Sequence, residues 1–132
     1  MYYLDTNVIA DAIRGKFPDL VKYFLNLKAS EISVPSIVVA ELEFGAQHSD
    51  DYKKRREQYL NFIRPYKIIS FTEKEAAAYG IIREQLTKEG QLIGPNDMLI
   101  AATALANEAT LVTHNTNEFS RVKNLSIVDW RE

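Results

Sequence analysis

The sequence predicts an α/β domain with a central, mainly parallel sheet. Two observations carry this expectation. Short apolar runs alternate with longer helix-period segments along the whole chain, and capping residues or prolines separate the two kinds of segment. No internal repeat or low-complexity linker interrupts the pattern, so residues 1–132 are expected to form one domain.

Taken in order, YYLD at 2–5 reads as the first strand. Thr6 or Asn7 is expected to cap a short helix ending near Gly15, and a second helix follows Pro18 through LVKYFLNLK. EISV at 31–34 reads as the second strand, and Pro35-Ser36 leads into the helix IVVAELEFGA. A charged helix covers about 51–64, and YKIISF at 66–71 is the third strand. Thr72 and Glu75 have the spacing of a capping box and open a long helix to about residue 89. The segment EGQLIGP is a loop leading into a helix over about 96–107. TLVT at 110–113 and LSIVDW at 125–130 supply the last two strands.

Composition narrows the function classes. The chain is 46% hydrophobic and 26% charged, which suits a globular core and excludes a disordered or fibrous protein. It has no cysteine, so disulfides and thiolate metal sites are excluded. The apolar stretch MLIAATALA at 98–106 is about half the roughly 20 residues a membrane span needs. The N-terminus has no basic segment followed by an apolar run, so a cytoplasmic protein is expected. A net charge of -2 gives no global attraction for nucleic acid, so any such partner must be held by local basic patches.

The acids carry the chemistry. In open parallel sheets, ligands collect beyond the carboxyl ends of the strands. Asp5 ends the first strand and Asp97 opens a helix, while Glu41 shares a helix face with Ile37, Val38 and Gly45 by three- and four-residue spacing. Each alone has a structural explanation: Asp5 as a backbone cap, Asp97 as a helix-dipole partner, Glu41 as a snorkelling or arginine-paired acid. Gathered at one edge, carboxylates about 4 Å apart would repel by roughly 4 kcal/mol at an effective dielectric near 20. Such a cluster calls for a counter-ion or raised pKa values. Carboxylates with water suit Mg²⁺ or Mn²⁺, and such ions support phosphodiester hydrolysis.

YYLDTNVI, SIVVAELEFGA, GPNDMLIAATA and LVTHNTNEFSRV, in this order and spacing, resemble the signature segments of PIN-domain proteins. They are most similar to the VapC toxin ribonucleases of VapBC toxin–antitoxin modules. No single segment is specific, but the four in register are. The resemblance implies a three-layer α/β/α sandwich and a Mg²⁺-dependent endoribonuclease toxin cutting RNA, often a structured tRNA. It also implies a homodimer inhibited by a VapB-type antitoxin, with no direct DNA binding by the toxin itself.

Carried over by position, Asp5, Glu41 and Asp97 match the family's acidic triad. Asp5 and Asp97 would be direct metal ligands, with Glu41 binding through water or orienting the attacking water. Thr6 and Thr113 match hydroxyls that line the site. The chain departs from the pattern at Asn115, where many relatives have aspartate. That departure favours one tightly bound ion, with a second arriving only with RNA. Glu118 is a candidate substitute, or else a helix cap.

Other features carry weaker expectations. KKRR at 53–56 would grip a phosphate backbone or simply be a solvated helix face. Arg14, Lys16, Arg83 and Lys88 are candidates to frame the groove. His114 adjoins the site and is a candidate RNA contact, whereas His48 is expected in a surface loop. Tyr23, Phe24, Phe44, Tyr59, Phe62 and Tyr79 recur at helical spacing, which points to core or dimer packing. A phospho-receiver module is excluded because the third strand ends SFTEKE without aspartate and Asp5 lacks an adjacent acid. An aspartyl-phosphate hydrolase is excluded because its second aspartate would fall on Asn7. The remaining competitor is a catalytically weak or inactive PIN-fold module that binds RNA or antitoxin.

Overall fold

The computed structural model describes residues 1–132. Five strands, β1 (Tyr2–Leu4), β2 (Ile32–Pro35), β3 (Lys67–Ile69), β4 (Thr110–Val112) and β5 (Ser126–Val128), form one sheet in the order β3-β2-β1-β4-β5. Every neighbouring pair is parallel, so the sheet is wholly rather than mainly parallel. Seven α-helices connect them: α1 (Thr6–Arg14), α2 (Pro18–Asn26), α3 (Ser36–Gln47), α4 (Tyr52–Ile63), α5 (Glu73–Lys88), α6 (Pro95–Ala106) and α7 (Thr116–Phe119). A 3₁₀ turn at Ala29–Glu31 precedes β2.

Right-handed crossovers place α1–α4 on one face of the sheet and α5–α7 on the other, which makes three α/β/α layers. Packing agrees with this. The helices α1, α3 and α4 touch one another, and α5 lies along α6. The strands are buried from both sides, as parallel sheets require: Leu4, Val34, Leu111 and Val112 are fully enclosed. No helix is long and apolar enough to cross a membrane.

Aromatic side chains fasten the C-terminus to the first helical layer. Trp130 is buried, stacks on Tyr23 at 4.8 Å and meets Tyr2 and Phe24 edge-on, while Phe24 meets Phe62. The core expectation holds for Phe24, Phe62 and the buried Tyr59. Phe44 differs: it is 69% exposed and stacks only on His48, which caps the end of α3.

Several local expectations are corrected. Asp5, not Thr6 or Asn7, occupies the cap of α1: its backbone is extended and its Oδ1 accepts from the Thr6 amide at 2.8 Å. Gly15 ends α1 with φ +64°, a left-handed conformation that glycine adopts without a Cβ penalty. The short α7 is one turn long, too brief to leave a periodic signal in the sequence. The last strand stops at Val128 because Asp129 turns to accept three hydrogen bonds from the Arg131 side chain and Trp130 turns into the core. The capping box at Thr72 and Glu75 is present as expected.

Candidate functional site

The sheet reverses its winding direction between β1 and β4. From β1 the chain leaves toward one helical layer, and from β4 toward the other, so a crevice opens beyond these two carboxyl ends. Asp5 and Thr113 are the first residues after the two strands. The Asp5 amide donates to the Val112 carbonyl at 2.9 Å, which extends the ladder one residue and fixes where the carboxylate emerges.

Asp5 is buried and fully engaged on its own side of the crevice. Its Oδ1 accepts from the Thr6 amide at 2.8 Å, and its Oδ2 accepts from the Thr113 hydroxyl at 2.8 Å. Burial raises its pKa and the negative charge of Glu41 adds to the rise, while the Thr113 and Thr6 hydrogen bonds oppose it. Thr113 Oγ1 also accepts from the Asn115 amide at 2.9 Å, so one hydroxyl ties β1 to the start of α7.

The other acids arrive from three different helices. Glu41, in the second turn of α3, accepts from the Thr6 hydroxyl and from Asn96 Nδ2 at 3.3 Å. Asp97 is the third residue of α6, and its Oδ2 stands 3.4 Å from where a Cβ on Gly94 would be. Glu118, on α7, accepts from Asn115 Nδ2 at 3.0 Å. Burial pushes the Asp97 pKa up to about 6, reinforced by the charges of Asp5, Glu118 and Glu41 and by a hydrogen bond shared with Glu118.

The structure therefore brings Asp5, Thr6, Glu41, Asp97, Thr113, Asn115 and Glu118 into one neighbourhood. It also separates the roles of Asn115 and Glu118. Asn115 sits in the capping position of α7 and spends its amide on Glu118, whereas Glu118 is the acid that faces Asp97. The capping expectation thus falls on Asn115, and the fourth negative charge comes from Glu118.

None of these four carboxylates has a lysine, arginine or histidine at ion-pair distance. Their donor set is all oxygen, which suits a hard divalent cation. No three of them are drawn together as a ready-made cage, in keeping with their mutual repulsion and with Glu41 being held by Thr6 and Asn96. The chemistry of the residues fits a cation, although the four carboxylates are not drawn together into a cage.

Two expectations about neighbouring residues change. His114 does not face the crevice. It packs edge-on against Phe17 with Nε2 3.1 Å from Asp11 and Nδ1 3.4 Å from Asp129, and its side chain is only 11% exposed. Arg131 covers it from the solvent side, its Nη2 donating to the His114 carbonyl at 3.3 Å. Arg83 donates to Tyr79 on the surface of its own helix. Sequence reasoning missed Asn96, Asp11 and Asp129; only Asn96 had a signal, its place beside Asp97 in GPND.

A parallel α/β sandwich with an oxygen-only acid cluster at its switch point defines a class of domains whose site chemistry suits a divalent cation and a phosphoryl group. Within that class, the PIN domain family model matches residues 2–125, and the chain belongs to that family. It is 40% identical to "Ribonuclease VapC2" of Rickettsia felis, with 98% of each chain covered. It is 31% identical to "tRNA(fMet)-specific endonuclease VapC" of Shigella flexneri, covering 98% of this chain and 97% of that one. Among solved structures, it matches the crystal structure of VapBC2 from Rickettsia felis bound to a DNA fragment from their promoter. That match has a TM-score of 0.89, 35% identity and 98% of each chain covered.

Proposed function

We propose that this chain is a metal-dependent endoribonuclease and the toxin of a toxin–antitoxin pair. The observation that carries the reading is the convergence of four carboxylates without a basic partner beyond β1 and β4. Its relatives, a ribonuclease and a tRNA-specific endonuclease, support the same chemistry. On this reading residues 1–132 act as one cytoplasmic domain on a structured RNA such as tRNA.

Asp5 and Asp97 would hold the ion, Mg²⁺ or Mn²⁺, with Glu41 and Glu118 completing the oxygen set. When bound, such an ion activates water and offsets charge on the phosphoryl oxygens. The remaining work belongs to the chain. Thr113 and the Thr6 amide orient both oxygens of Asp5, so its carboxylate does not have to reorganise. Glu41, steadied by the Thr6 hydroxyl and Asn96, would orient the attacking water and accept its proton. Glu118, beside Asp97, would supply the negative charge that Asn115 lacks, which supports the active reading over an inactive module.

The proposed partners are a VapB-type antitoxin and a second copy of the chain. Leu25, Phe44 and Ile81, at 79%, 69% and 70% exposure, are apolar side chains available for such contacts. DNA contact is assigned to the antitoxin. The test is incubation of total cellular RNA with purified, antitoxin-free protein in Mg²⁺, Mn²⁺ or EDTA, with Asp97→Asn as the control. The reading expects discrete fragments that require metal and vanish in the variant. Fragments that persist in EDTA or in the variant would refute it.

A further inference from the structure

Helix α4 carries a cluster of cations that the acid site does not use, and the structure divides them by face. Arg56 is committed to Glu43 at 3.5 Å, inside a hub where Tyr52 and Tyr59 also donate to Glu43. Lys53 and Arg64 line a hollow on the same side as Arg56. Arg55 points the other way. It lines a groove of about 380 Å³ between α1, α3 and α4, shared with Arg14, Ser49, Gln58, Thr6 and Glu41.

The groove's lining thus joins the site acid Glu41 to two arginines. Arg55 has no carboxylate partner; its Nη1 donates to Gln58 Oε1 at 3.2 Å, which orients the guanidinium. Arg14 is 67% exposed and only 3.7 Å from Asp11, a loose pair that leaves most of its donors free. A polyanion approaching the four acids meets repulsion at the reacting phosphate. Its neighbouring phosphates need positive charge nearby, and guanidinium groups match phosphate oxygens with two donors at once.

We propose that Arg14 and Arg55 form a phosphate clamp that holds the RNA backbone on the Glu41 side of the site, through the α1–α3–α4 groove. This rests on the nuclease reading for the identity of the polyanion. It assigns a binding path rather than a catalytic role, so it can be tested without cleavage.

The experiment measures affinity of the full chain for a labelled, mixed-sequence single-stranded oligoribonucleotide, in EDTA, across a range of salt. The double variant R14Q/R55Q is expected to bind about tenfold more weakly at low salt. Its slope of log affinity against log salt should flatten by about 1.4, since each lost single-strand phosphate contact contributes about 0.7. R14K/R55K should recover most of the slope, because the charges remain. K53Q/R64Q, on the other face of α4, should change the slope by less than about a third as much. In Mg²⁺, R14Q/R55Q should raise KM about tenfold with little change in kcat, the mark of lost uniform binding.

An unchanged slope in R14Q/R55Q overturns the clamp, as does an equal loss in K53Q/R64Q, which would mean unspecific attraction. Retained RNA binding with lost binding of polyglutamate would assign the groove to an acidic protein segment and also overturn it. Absence of cleavage by the unmodified chain in Mg²⁺ and Mn²⁺, alongside the predicted binding pattern, would sink the nuclease reading and leave the clamp standing.

Discussion

Glu75 and Asp97 occupy the same position, the third residue, of two helices that pack against each other, yet their environments oppose one another. Glu75 is buried in a capping box: Thr72 donates its amide at 2.8 Å and its hydroxyl, and Asn107 Nδ2 donates at 2.9 Å. The Thr72 hydroxyl leads a set of donors that holds its pKa down to about 2. Asp97 follows Gly94, which has no side chain to return a hydrogen bond, and it faces three other acids. An acid whose donors are supplied by its own fold is structural. An acid that the fold surrounds with like charge is awaiting something from outside.

Replacing Asp97 should have the largest effect. Asp97→Asn is expected to lower RNA cleavage by about 10³-fold or more, since on the proposed reading it removes an oxygen that would hold the metal. Metal-free, the same variant should melt higher than the unmodified chain at pH 7, by about 3–6 °C for about 1 kcal/mol of relieved repulsion. The mirror change, Glu75→Gln, should lower the melting temperature by about 5 °C or more through loss of a buried charge-assisted network, leaving the cleavage rate per folded molecule unchanged. Matched calorimetric melts and cleavage assays decide both. Equal behaviour of the two variants would erase the distinction.

The pH dependence follows from the opposite shifts. A carboxyl whose folded pKa is raised, as at Asp97, favours the folded state in its protonated form. Its contribution is fully present below about 4 and is lost as pH rises through about 6. The melting-temperature gain of Asp97→Asn should therefore be absent at pH 4 and complete by about pH 7. Glu75 and Asp129, both held near 2, contribute in the other direction: their stabilisation is present above the ordinary carboxylate range and fades as pH falls toward about 2. A gain for Asp97→Asn that does not change between pH 4 and 7 would contradict the assignment.

Smaller effects should sharpen the contrast. Thr113→Val removes the hydroxyl that donates to Asp5 and accepts from the Asn115 amide; about 1–2 kcal/mol of stability and about tenfold in cleavage should be lost. Asn115→Asp places a carboxylate beside Glu118, so the metal-free melting temperature should fall by about 2 °C and recover with added Mg²⁺. A metal-free rise instead would contradict the crowding of like charge around Asn115.

Much of this was legible in the sequence, for identifiable reasons. Asp5 and Thr113 follow directly from strand ends, because apolar runs such as YYL and TLV stop abruptly and parallel topology gathers their carboxyl ends. Thr72 and Glu75 were legible because a capping box is a local pattern. The helix of Glu41 was legible from periodicity, and its odd placement on an apolar face marked it.

What was hidden depends on contacts distant in sequence. Nothing local distinguishes Arg55 from Arg56, yet one lines the groove and the other pairs with Glu43. His114 looks available beside Thr113, but its ring lies between Asp11 and Asp129 and packs against Phe17, contacts that no local pattern announces. The division of labour between Asn115 and Glu118 required α7, a helix too short to announce itself.

The central claim is that the acid cluster is completed by a divalent cation, and calorimetric titration of metal-free protein with Mn²⁺ tests it most directly. At pH 6 the account predicts saturable binding to the unmodified chain, accompanied by proton release from Asp97, and loss of both in Asp97→Asn. Equal binding by the variant, or no binding by either, would contradict it.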